Sequence, residues 1–363
     1  MKSLAKNYLG NGHDTWRMNS RERFSAALDG DGTDRVPVMY QHLGGMKHVQ
    51  QVAGIAIQEA YYDPKKYAQL SLTALDVFGY DHVMAGWGDL LMEAQAFGTK
   101  LAFSDRNNYP NSEPAAISDI ESVEKLSSID PFDDPIWSIQ IKAARIMMQD
   151  VGKSTMVLGC TSSPFIVASG ILGYENLMVW QMLQPEELAI LLSKVAESLK
   201  MLGVRLANYS GLDAIFISEG LADAEQNTLE MCMRFDLEPF REVVQEYHSL
   251  GLRTIVHNCS YAPFLEEQMT VLDPTAVHFW VGARGASERM ASEIGQRTLV
   301  AGIDHQNLIY QGSLDEIEVA VAKAIKLFGD TRTIIAPACE LPSDTPLENA
   351  RELVRVCERS AIR

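Results

Sequence analysis

Basic residues are scarce in this sequence: 31 Lys and Arg stand against 48 Asp and Glu, a formal net charge of −17. Nucleic acid and anionic membranes both bind through excess positive charge, so neither is expected as a partner. Long apolar runs are missing too. No stretch approaches the roughly 18 uninterrupted apolar residues of a membrane helix, and the N-terminal MKSLAKNYLGNGHDTW lacks the apolar block of a secretory signal. The expected location is therefore the cytoplasm. Cysteines are few: Cys160, Cys232, Cys259, Cys339 and Cys357 are odd in number and widely scattered, which excludes a disulfide framework and leaves them as reduced thiols. Cys232 and Cys357 fall in the helix-like LEMCMRFDL and ARELVRVCERS, where packing thiols are the expectation. Internal repeats and low-complexity linkers are also absent. These absences leave small molecules or another protein as partners.

The chain has 363 residues and 47% hydrophobic content, enough for a large core in one α/β barrel or in two smaller domains. Eight short β-rich runs favour the single barrel: Val36–Tyr40, His82–Ala85, Thr155–Gly159, Ala214–Ser218, Thr254–His257, Ala276–Phe279, Thr298–Ala301 and Thr333–Ala336. Amphipathic segments separate most of them. Such alternation predicts a closed (β/α)8 TIM barrel, with crossover helices covering parallel strands. SLDEIEVAVAKAIKLFG carries a Ser cap, an acidic first turn, three- and four-residue apolar spacing, then Lys326 and Gly329; QPEELAILLSKVAESLKMLGVRLANYSG has Pro185 early and Gly211 beyond its end. The Pro-, Asn- and Ser-rich stretch 98–135 reads as an extended loop after the second strand, either a wall over the barrel mouth or a plain surface excursion.

Barrel enzymes carry their chemistry on the loops that follow the strands. The residues there are Gln41 and His42; Trp87 and Asp89; Cys160, Thr161 and Ser162; Glu219; His257 and Cys259; Trp280; Asp304 and His305; and Cys339 and Glu340. Among them His257 and Cys259 in TIVHNCS and Cys339 in IIAPACELPSDTPLEN form a split imidazole and thiolate set. A His-x-Cys pair taken alone is as readily a core histidine beside a buried thiol. Here, however, both segments are β-branched runs ending in polar residues, and strand ends of one parallel barrel converge. Three such donors with an open fourth position suit a catalytic Zn2+. Glu219, ending AIFISEG, is a candidate fourth ligand or substrate contact. The aromatic residues Trp87, Phe279 and Trp280 suit either an apolar donor molecule or the core.

From about residue 18 onward the sequence resembles the uroporphyrinogen decarboxylase superfamily, and within it the corrinoid-dependent zinc methyltransferases of the methylcobamide:coenzyme M type. MNSRERFSAALDGDGTDRVPV, GDLLMEAQAFG, TSSPFIVAS and IIAPACELPSDTPLENARELV carry the resemblance. It implies an N-terminal extension over 1–18 and one barrel over 19–363. The decarboxylases' RQAGRY and GHG segments are replaced by YQHLGGM and PACEL, which argues against tetrapyrrole decarboxylation. Asp89 matches an aspartate common to both branches, and Ser260 stands where the coenzyme M enzymes have Gly after His-x-Cys. The resemblance implies methyl transfer between a corrinoid carried on a partner protein and a small thiol, deprotonated at zinc. The opposite half-reaction, from a methylated donor to a cobalt(I) corrinoid, stays open, as does a barrel that has lost turnover.

Overall fold

Seven of the eight β-rich runs become strands of one parallel sheet in the computed structural model, which describes residues 17–86, 91–103, 110–113, 117 and 120–361. They are β1 (His82–Ala85), β2 (Met156–Ser162), β3 (Ala214–Glu219), β4 (Arg253–Asn258), β5 (Ala276–Trp280), β6 (Thr298–Ile303) and β7 (Thr333–Pro337). Neighbours in the sheet follow chain order, every pair parallel. Parallel strands need a crossover, and helices supply it. The expected capping box forms at Ser313 and Glu316 of the helix Leu314–Phe328, and Pro185 opens the helix Pro185–Arg205.

The first run, 36–40, is the exception. It makes a single parallel bridge, Val38 to Ile335 of β7, while its Val38 carbonyl accepts from Asp81 N–H at 3.1 Å. Pro37 has no N–H to give. On the β1 side, moreover, side chains take the donors that a ladder would use: Val38 N–H donates to Asp81 Oδ2 (2.8 Å) and Tyr40 N–H to His82 Nε2 (3.1 Å). The run therefore touches both outer strands without lengthening into a strand. In the stretch after β1, the described residues hold a two-residue antiparallel pair, Leu101–Ala102 with Asn111–Ser112, and the short helix Ile120–Lys125.

Side chains alternate faces along a strand, and one face of every strand meets in a common inner cluster: Met84, Met156, Leu158, Cys160, Ala214, Phe216, Ile255, Ala276, Val300, Ile334 and Ala336. Phe24, Ala27 and Leu28 join it from the helix Ser20–Asp29, whose N-cap Asn19 forms a capping box with Glu22. That helix sits at the amino ends of the strands, where buried Arg23 pairs with Asp34 (2.6 Å) and Asp81 (2.7 Å), and Arg35 with Asp81 (2.8 Å). The opposite faces pack on the surrounding helices as a second cluster. With the amino ends filled in this way, the carboxyl ends are left for chemistry.

Candidate metal centre

The same alternation that puts Ile255 and Ala276 in the inner cluster puts His257 and His278, two residues on, on the same face. The two are in register across β4 and β5. Both rings are almost completely buried and lie against Phe216, at centroid separations of 5.4 Å for His257 and 6.1 Å for His278. Cys259 follows the end of β4 and Cys339 the end of β7, both half-buried. One donor atom from each of His257, Cys259 and Cys339 lies within 4.8 Å of the others. Tetrahedral zinc with bonds of about 2.0–2.3 Å spaces its ligands by roughly 3.4–3.8 Å, so the set needs only a small contraction to close on an ion. The Cys339 thiol, hydrogen-bonded to Cys259, holds Cys259 below its usual range. The same contact, with burial, pushes Cys339 well up.

Glu219 stands outside this group. At the end of β3, its carboxylate accepts from the Leu221 and Ala222 backbone N–H groups (2.6 and 3.1 Å), Gln268 Nε2 (2.9 Å) and Asn258 Nδ2 (3.3 Å). Asn258 lies between the two β4 donors, and its Oδ1 in turn accepts from Ser260 N–H (3.0 Å) and Oγ (2.7 Å). Glu219 thus braces the turn that carries His257 and Cys259. Burial raises its pKa. Asp236, wholly buried beside it, is pushed well above the carboxylate range by burial and by the Glu219 charge. The proton therefore resides on Asp236, and the four N–H donors stabilise charge on Glu219.

A second wall of the mouth comes from other strand ends. His42, at a left-handed φ of 27°, places Nδ1 2.6 Å from the Gly86 carbonyl and Nε2 3.8 Å from both Cys160 Sγ and Glu340 Oε1. Burial drives its pKa down to about 3, so the ring is neutral. Phe216 lies between this wall and the metal-site candidate, 6.4 Å from His42.

The remaining strand-end residues have local roles. Thr161 donates to the buried Glu93 (2.8 Å). Asp304 caps the turn His305–Tyr310 by accepting from Gln306 and Asn307 N–H. Gln41 and Ser162 are buried. Trp280 tilts against Tyr261, whereas Phe279 points away from the mouth and packs edge-on against Phe328. Asp89 and Trp87 lie outside the described residues.

Sequence reasoning passed over His278, Asp236 and Gln268. For His278 a signal existed: in AVHFW, as in RTIVHN, a histidine directly follows a valine inside an apolar run. Only the register of β4 with β5 makes those positions neighbours.

The fold and the donor set define a parallel α/β protein of barrel type, with a His-Cys-Cys metal-site candidate at the carboxyl ends of its strands. The family model described as uroporphyrinogen decarboxylase (URO-D) matches residues 19–360. The chain belongs to this family, and its similarity runs to the corrinoid-dependent methyltransferase branch. It is 22% identical to methylcobamide:CoM methyltransferase MtbA of Methanosarcina mazei, over 92% of this chain and 96% of that protein. A methylated-thiol–coenzyme M methyltransferase of the same organism is 21% identical, over 95% of this chain and 90% of that one. Among solved structures, a methyltransferase from Methanosarcina mazei superposes with a TM-score of 0.82 at 20% identity, covering 94% of this chain and 99% of that chain. No helix among the described residues is long and apolar enough to cross a membrane.

Proposed function

We propose that this protein transfers a methyl group between a corrinoid carried on a partner protein and a small thiol, at a zinc ion held by His257, Cys259 and Cys339. The observation that carries the reading is the convergence of these three donors from β4 and β7 within 4.8 Å. Two thiolates and a neutral imidazole are borderline-soft donors suited to zinc, and three of them leave a fourth position for substrate. Zinc bound there supplies charge that stabilises a substrate thiol as thiolate, the nucleophilic form.

The chain's own residues do the rest. Glu219, through Asn258, holds the turn bearing two of the donors, and we assign it that role rather than ligation. Phe216, wholly buried, shields the inner side of the centre from water. Asp89 is assigned to orienting substrate at the mouth. A corrinoid is too large for the barrel interior, which the inner cluster fills, and so docks over the carboxyl-end face on its own protein. The architecture that goes with this reading is a single (β/α)8 barrel over 19–363, with run 36–40 taking the eighth place between β7 and β1 through its bridge to Ile335, and 1–18 as an extension, in the cytoplasm.

Zinc-loaded protein incubated with methylcobalamin and a panel of small thiols tests the proposal. Loss of the methylcobalamin spectrum with at least one thiol is expected. Unchanged spectra with every thiol, together with methylation of cob(I)alamin by a methylated donor, would reverse the direction. No change of cobalt state in either arrangement would refute methyl transfer.

A further inference from the structure

Buried imidazoles need partners for both ring nitrogens, and His278 has them. It is wholly buried in the middle of β5. Its Nε2 lies 2.9 Å from the Pro337 carbonyl and its Nδ1 3.0 Å from Nδ1 of His257. Directions follow from elementary chemistry. A carbonyl only accepts, so His278 Nε2 carries the hydrogen. In a neutral ring the other nitrogen, Nδ1, then has the lone pair and accepts, which requires the hydrogen of His257 to sit on Nδ1. Nε2 of His257 is left with its lone pair.

We infer that His278 is a positioning residue that fixes the tautomer and ring orientation of His257, through the relay Pro337 C=O, His278, His257, and so ties together the two halves of the split metal site. The relay crosses three strands. His257 and Cys259 belong to β4 and its end, His278 to β5, and Pro337 ends β7 two residues before Cys339. Those halves are far apart in the chain, and one side chain spans from the imidazole donor of the first to the backbone that presents the thiol of the second. Partners of this kind around a metal-binding histidine change affinity by about 10- to 100-fold when lost.

This inference rests on the proposed metal site, and two substitutions with two readouts separate the claims. His278→Phe keeps an aromatic ring, slightly larger than imidazole, and removes both hydrogen bonds. His278→Gln restores an amide oxygen to accept from His257 and an amide N–H to donate to Pro337. Zinc affinity by chelator competition should fall about 10- to 100-fold in His278→Phe and stay within a few-fold of the parent in His278→Gln. In metal-free protein, 15N histidine spectra should place the His257 hydrogen on Nδ1 in the parent and in His278→Gln, and show a mixture of tautomers in His278→Phe. Parental affinity and tautomer in His278→Phe would overturn the relay. Equal weakening in both variants would overturn it in favour of ring packing alone. If the parent binds no zinc, the metal reading fails, and the spectra still decide the relay: a parent His257 hydrogen on Nε2 refutes it.

Discussion

Acid should destabilise this protein earlier than its many carboxylates would suggest, because it buries neutral imidazoles. His42 and His82 are both enclosed, and burial pushes their pKa values down to about 3 and about 4. An unfolded chain protonates both near 6.5, whereas the folded chain does not. Their stabilising contribution is thus present above pH 6.5 and is lost as pH falls through the window down to about 4. Each unit within it costs about 1.4 kcal/mol per imidazole, so at pH 5 each has lost about 2 kcal/mol relative to pH 7. Two such losses are a large part of a typical stability of about 5–15 kcal/mol. Buried acids oppose the trend. Asp236 and Glu93 have raised pKa values, so the stability they contribute is present at low pH and is lost as pH rises. His82→Gln isolates the imidazole, since Gln still accepts from Tyr40 N–H but does not titrate. Urea unfolding of parent and variant at pH 7 and pH 5 is the assay. The loss between the two pH values should be smaller by about 2 kcal/mol in His82→Gln; equal losses in the two proteins would refute the argument.

Two further substitutions probe the mouth. Glu219→Gln sets an amide N–H against the Asn258 and Gln268 donors; thermal unfolding should show a loss of about 1–3 kcal/mol with zinc stoichiometry kept, and full stability with lost zinc would make Glu219 a ligand instead. Gly86→Ala adds a Cβ that overlaps Cys160 at a φ of 154°, which displaces the carbonyl anchoring His42. It should cost about 1–3 kcal/mol in the same measurement, and a parental melting profile would show that this wall yields freely.

Much of the sheet was legible because β-branched runs bounded by turn residues announce buried strands whatever their partners. The run 36–40 was misjudged in extent for a local reason: Pro37 and the side chains of Asp81 and His82 replace ladder bonds, and acceptors from a neighbouring strand are invisible in a linear pattern. The approach of His257, Cys259 and Cys339 to one another was legible from residue chemistry and strand-end position. His278 was not, because its meaning lies in the pairing of β4 with β5. Glu219 was picked out for its place at a strand end, yet its partners come from a turn (Leu221, Ala222), a neighbouring strand end (Asn258) and a later helix (Gln268), which together make it a brace.

Metal analysis of the purified, zinc-reconstituted protein beside Cys339→Ala bears most directly on the central claim, that two distant segments build one zinc centre. One tightly held zinc per chain is expected in the parent, and its loss in a Cys339→Ala protein that still melts cooperatively. Equal zinc content and affinity in the two proteins would contradict it.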